Sequence, residues 1–187
     1  MGARVETFLP FRRKPRLIER TARLTIEHLE TRILLTSNTW VATGGGDWDT
    51  ASNWSLGHVP TVSEDAVISV SGNYTITHNT SAFDSVHSLI SNQAFTMSNG
   101  TLAIGTTFEV DNTFTLQGGT LEGGTVDSGS GGQGMTVGDG TLNRVTVDAN
   151  IQLTSGGSLS VTNGLVLNGT ANVSSGAVLG FGNTQTL

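Results

Sequence analysis

Cysteine is absent from this 187-residue chain, proline occurs three times, tyrosine once, and Lys14 is the single lysine. Without cysteine there can be no disulfide framework and no thiolate metal site. Nowhere does an apolar run approach the roughly 20 residues that a helix needs to cross a bilayer, so the sequence predicts no transmembrane segment. Basic residues are scarce wherever the chain is long. Eight of the nine lie at Arg4, Arg12, Arg13, Lys14, Arg16, Arg20, Arg23 and Arg32, and Arg144 is alone in the 155 residues that follow. That body carries eleven acidic residues. An acidic surface with one arginine cannot neutralise a row of phosphates, which excludes nucleic acid as a partner of the body.

The chain therefore divides into a basic leader of net charge +4 and an acidic body of net charge −10. Residues 1–36 are read as a leader or export segment. It has the basic run Arg12-Arg13-Lys14, but Leu17 to Leu35 is broken by Glu19, Arg20, Arg23, Glu27, Glu30 and Arg32. The continuous apolar stretch of an ordinary secretory signal is missing. The run Leu24-Thr25-Ile26-Glu27-His28-Leu29-Glu30-Thr31-Arg32-Ile33-Leu34-Leu35-Thr36 resembles the N-terminal LExRxLLS signature of large exported surface proteins of planctomycete bacteria, with Thr36 in the place of the usual serine. Leu29, Glu30, Arg32, Leu34 and Leu35 are the matching positions. The resemblance implies an exported chain whose body works outside the cell or at its surface.

The body is rich in glycine, threonine, serine, asparagine and β-branched residues, a composition that disfavours helices and suits short strands parted by turns. Residues 37–68 form a first block that holds all three tryptophans, Trp40, Trp48 and Trp54, around Gly44-Gly45-Gly46 and ahead of Pro60. This block resembles the segment that opens repeat domains in bacterial autotransporter-like adhesins. Its rings are expected to cap the open end of a repetitive core. A sharper reading makes Trp48 and Trp54 a platform on which a sugar stacks.

Residues 69–187 repeat loosely. Asn99-Gly100-Thr101-Leu102, Gly119-Thr120-Leu121 and Gly140-Thr141-Leu142 place the same step about one coil apart, and Gly157-Ser158-Leu159 continues the series. Between them run alternating segments such as Thr107-Phe108-Glu109-Val110 and Leu165-Val166-Leu167. A period of ~20 residues is the size of one three-sided turn of a solenoid. The predicted fold is all-β, a right-handed single-stranded parallel β-helix of six or seven coils stacked ~4.8 Å apart. Asn163-Gly164 and Asn168-Gly169 are also hairpin signals, so an antiparallel β-sandwich is the rival. The repeat pattern still runs at Ala177-Val178-Leu179-Gly180-Phe181, which reads as a truncated repeat region whose uncapped last coil self-associates.

Chemistry is sparse in this pattern. Arg144, between Asp139 and Asp148, is the one cationic centre of the body, and an exposed ion pair is its simplest role. Asp47/Asp49 and Glu64/Asp65 are the closest carboxylates, but neighbours in a strand point to opposite faces. His28, His58, His78 and His87 lack metal-ligand spacing, although His78 and His87 could meet on adjacent strands. Gly131-Gly132-Gln133-Gly134-Met135-Thr136 begins like a calcium-binding β-roll repeat but has Thr136 where the carboxylate is needed. Neither catalytic residues nor a cofactor or metal site is expected. The sequence points to a non-catalytic, adhesin-like module of a larger extracellular or cell-surface protein, with surface glycans or other surface proteins as partners. The alternative is the N-terminal part of a carbohydrate-active β-helix enzyme, a polysaccharide lyase or hydrolase.

Overall fold

Alternation of apolar and polar residues over only three to five positions gives strands too short to stand alone, so each must be held by a neighbour on either edge. The computed structural model describes Gly2, residues 35–131 and residues 133–182. His28 and the export-motif positions Leu29, Glu30, Arg32 and Leu34 lie outside the described residues, and Leu35 is an exposed side chain at the start of the body. The described residues from 35 to 182 form one compact unit, a parallel β-solenoid of about six turns.

Three faces build it. Gly46–Asp47, Thr75–His78, Ala94–Met97 and the first residues of Phe114–Glu122, Met135–Asp148 and Ile151–Leu167 stack on the first face, followed by Ala171–Val173. The second face stacks Phe83–Val86, Thr101–Ile104, the later parts of the same three long strands and Val178–Phe181. Thr36–Thr39, Glu64–Ile68, Ser88–Ser91, Thr107–Val110 and Thr125–Asp127 begin the third. Every ladder between these strands is parallel, which removes the antiparallel sandwich; an isolated antiparallel bridge joins Trp40 to Trp54. The tryptophan block thus supplies two rungs of the third face, Thr36–Thr39 and Glu64–Ile68.

Parallel register turns sequence alternation into columns. On the first face the inward column runs Ile76, Phe95, Phe114, Met135, Ile151, Ala171. On the third it runs Asn38, Ala66, Leu89, Phe108, Val126, Val147, Leu167. Most of these side chains are sealed from solvent in one continuous core, and each fully buried Ile, Leu, Val, Met or Phe among them contributes roughly 1.5–3 kcal/mol.

Two sequence expectations change in detail. Leu102, Leu121 and Leu142 do stack in register, but the next rung is Val161, and Leu159 pairs beside Gly140 instead. The fourth Gly-Ser-Leu step is therefore displaced by two residues, and Leu159 stays buried because a two-residue slip preserves the face. A Cβ on Gly140 would lie 2.7 Å from Leu116, so glycine there is required by the packing. Asn163-Gly164, with φ of 55° and 106°, makes no hairpin. It bends the strand Ile151–Leu167 around a corner onto the third face, at the place where Arg144 (φ 57°) turns the preceding coil. Side chains bond along such corners from coil to coil, as from Asn163 Nδ2 to Asn143 Oδ1 at 2.9 Å.

Candidate functional site

The tryptophan block and the first coil beneath it are where aromatic and ionisable side chains concentrate. Thr36–Thr39 leads into Trp40, the glycine run crosses over Thr75, and a 3-10 turn, Ala51–Asn53, returns the chain to Trp54. Trp40 and Trp54 meet edge to face with centroids 5.2 Å apart, and Trp54 and Trp48 meet at 4.7 Å. Trp48 then touches Phe95 at 5.5 Å, and Phe95 leads on to Phe108 and Phe114. Two indoles are tied to the backbone, Trp40 Nε1 to the Gly44 carbonyl and Trp54 Nε1 to the Trp48 carbonyl. Trp48 Nε1 is buried and finds no acceptor among the described residues. Trp48 is 0% and Trp54 2% exposed. A stacking platform needs an open ring face, and neither ring has one, so the sugar-stacking reading is corrected by their burial. The rings lie on the end of the inner column.

Each described histidine faces a carboxylate, and each carboxylate differs. His58 Nε2 lies 2.9 Å from Glu64 Oε1, while Thr61 N–H donates to Glu64 Oε2. His87 Nδ1 lies 2.8 Å from Asp65 Oδ1, which also accepts from Ser88 Oγ. Glu64 and Asp65 thus point to different sides, as strand alternation demands. For Glu64, burial favours the neutral form, but the hydrogen bonds from His58 and Thr61 outweigh it and hold the carboxyl below its ordinary range. The Ser88 hydroxyl does the same for Asp65, with His87 adding to it.

His78 and His87 do not meet. His78 ends a first-face strand, whereas His87 immediately precedes a third-face strand. Instead His78 is joined by Asp84 and Asp49, three residues whose ligand atoms lie within 4.8 Å of one another. Its Nε2 is 2.9 Å from Asp84 Oδ2 and its Nδ1 is 2.9 Å from the Asn99 carbonyl. Both ring nitrogens face acceptors, and only a ring carrying two N–H groups satisfies both. Burial opposes that charge. The Asp84 hydrogen bond, the Asp49 charge and the Asn99 carbonyl outweigh it, and the imidazole is held above its ordinary value. Asp49 is pushed up, first by burial and then by Asp84, although the Thr80 hydroxyl donates to it. Sequence spacing weighed Asp49 with Asp47 and His78 with His87, and missed Asp84 altogether. Asp47 Oδ1 accepts from the backbone of Asp49 and takes no part in the cluster. The signal that could have found Asp84 is register: it occupies the rung held by Leu102 in the next coil.

The outer surface is of another kind. Thr77, Thr96, Thr115 and Thr136 stack on the first face, Thr101, Thr120, Thr141 and Ser160 on the second, and Thr107, Thr125 and Thr146 on the third. Arg144 pairs with Glu122 of the preceding coil at 3.0 Å, not with Asp139 or Asp148, because its cross-strand neighbours and not its sequence neighbours stand beside it. The pair borders an open groove of about 370 Å³ lined by Val86, Ile104, Gly123 and Gly124. No helix among the described residues is long and apolar enough to cross a membrane. No protein-family model, curated protein or solved structure matches this chain.

Proposed function

We propose that this chain is a non-catalytic, adhesin-like repeat module of an extracellular or cell-surface protein. Its outward hydroxyl ladders make many weak contacts with surface glycans or with other surface proteins. The observation that carries the reading is a set of three uncharged hydroxyl ladders, one on each face, each running over three or four successive rungs. Such a surface has little that would bind tightly at one point, but rungs repeated at ~4.8 Å suit an extended, repetitive partner and gain by avidity. The export-type motif of the leader agrees with a place outside the cell. A second contact surface is the last described coil, where Val173, Val178 and Phe181 are exposed and, among the described residues, the strands Ala171–Val173 and Val178–Phe181 have a ladder on one edge only. There the chain is proposed to associate with its own kind.

The test presents the full chain in monomeric and tetramerised form to an array of polysaccharides and to intact cells. Binding that needs the tetramer, and that is lost on replacing Thr96, Thr115 and Thr136 by lysine without a change in circular dichroism, is the expected result. Cleavage of any polysaccharide on the array, or the absence of binding by the tetramer, would sink the reading.

A further inference from the structure

Two adjoining inward rungs of the first coil carry ionisable side chains where each later described coil carries a different kind of residue. His78 heads the column Met97, Leu116, Val137, Leu153, Val173. Asp84 heads the column Leu102, Leu121, Leu142, Val161, Phe181. The fold accepts methionine and leucine at these rungs one coil later. Burying an imidazole and a carboxylate there is unfavourable unless something compensates both.

We propose that Asp49, His78 and Asp84 hold one divalent first-row transition-metal ion of the zinc class, which fastens the tryptophan cap to the first coil. The three ligand atoms already converge within 4.8 Å. His78 is oriented as metal-binding histidines are: one ring nitrogen is held by a backbone carbonyl, that of Asn99, and the other is aimed at the remaining donors. Gly100 makes that orientation attainable. It has φ of +69°, and a Cβ on it would stand 2.9 Å from His78 Cε1 and 2.5 Å from the Thr80 and Ala82 carbonyls, so the backbone closes onto the ring only because glycine is there. Thr80 orients Asp49 from behind in the same way. One imidazole nitrogen with two carboxylate oxygens suits zinc or manganese. Calcium and magnesium take oxygen ligands and would not use the ring. Asp49 comes from the cap, His78 from the first face and Asp84 from the second, so one ion ties together three segments spread over 36 residues, and closing so long a loop is where a clip stabilises most.

The competing account is a buried His78–Asp84 ion pair that needs no metal, and the two part company in one experiment. The full chain, stripped with chelator and dialysed, is titrated with zinc chloride by calorimetry and melted with and without the metal; cobalt substitution reports ligand-field bands. One equivalent bound, and a rise in Tm of roughly 5–10 °C at a hundredfold excess over Kd, is the expected result. Asp49→Asn, at a partly exposed position, is expected to weaken binding at least about tenfold and to alter the cobalt spectrum. His78→Met with Asp84→Leu restores the residue types of the next coil, and is expected to abolish binding while the solenoid remains folded. A wild type that takes up no zinc, or one whose Tm responds equally to calcium, overturns the proposal. So does an Asp49→Asn variant that binds as tightly as the wild type, which would put the ion on surface acids; this variant decides the matter even if the double variant fails to fold.

Discussion

Among the described residues, the first and last layers of the inner column carry the same alternation and reach opposite outcomes. At one end Trp40, Trp48 and Trp54 are no more than 2% exposed; at the other, Val173 and Phe181 occupy inward rungs and are 49% and 42% exposed. Val173 stands on the same column as Met97, and Phe181 on the same column as Leu102, both fully buried. Alternation therefore decides which way a side chain points. Burial is decided by whether another layer lies on top.

The largest effect is expected at the covered end. Trp48→Ala removes a ring that touches Trp54 and Phe95 inside a sealed core, and a loss of about 3–5 kcal/mol is expected from urea unfolding of the full chain. Val173→Ala at the open end should cost under about 1 kcal/mol, because half of that side chain is in water already. Equal losses at the two sites would mean that the cap is not what covers the column.

That contrast also marks how far the sequence could be read. Alternating segments and a ~20-residue period are local signals, and they lead directly to strands, coils and an inward face. The three tryptophans within fifteen residues were legible as a cluster because large rings so closely spaced have few places to go but a core. Corner chemistry was less legible: Asn163-Gly164 carries a left-handed bend in a hairpin and in a solenoid corner alike, and only the parallel partner tells them apart. The polar cluster was not legible at all. Asp49, His78 and Asp84 are brought together by register, which a two-residue slip such as that at Leu159 can change without disturbing the alternation.

The covered end should also respond to pH. Glu64 and Asp65 sit beside the cap, and both are held below their ordinary values near 4.5 and 3.8, Glu64 by His58 and Thr61 against burial, Asp65 by Ser88 and His87. A depressed folded value means that the stabilisation is present in full above the ordinary value and is lost as the pH falls through the folded one. The cap region should therefore loosen below about pH 4, with Trp fluorescence shifting to the red before the β-sheet circular dichroism signal falls. Glu64→Gln should flatten that early phase. Coincident transitions by both probes, in wild type and variant alike, would show that the cap and the coils melt as one unit.

The smallest expected effect lies between the two ends, on the outer side of the third face. Glu109, Asp127 and Asp148 stand on successive rungs there, three carboxylates one above another at the ~4.8 Å strand spacing. Like charges directly opposite on neighbouring strands destabilise, whereas the columns Thr96-Thr115-Thr136, Thr101-Thr120-Thr141 and Thr107-Thr125-Thr146 carry no charge. Asp127 Oδ1 accepts a bond from Gly129 N–H, and an asparagine keeps that acceptor. Asp127→Asn should therefore stabilise the chain by about 0.2–1 kcal/mol at low ionic strength. The gain should fade in ~1 M salt, where the screening length is shorter than the distance between rungs. A gain that persists in high salt would point to amide bonding along the ladder in place of relieved repulsion, and a loss would mean that the acidic stripe is held by a cation bridging its rungs.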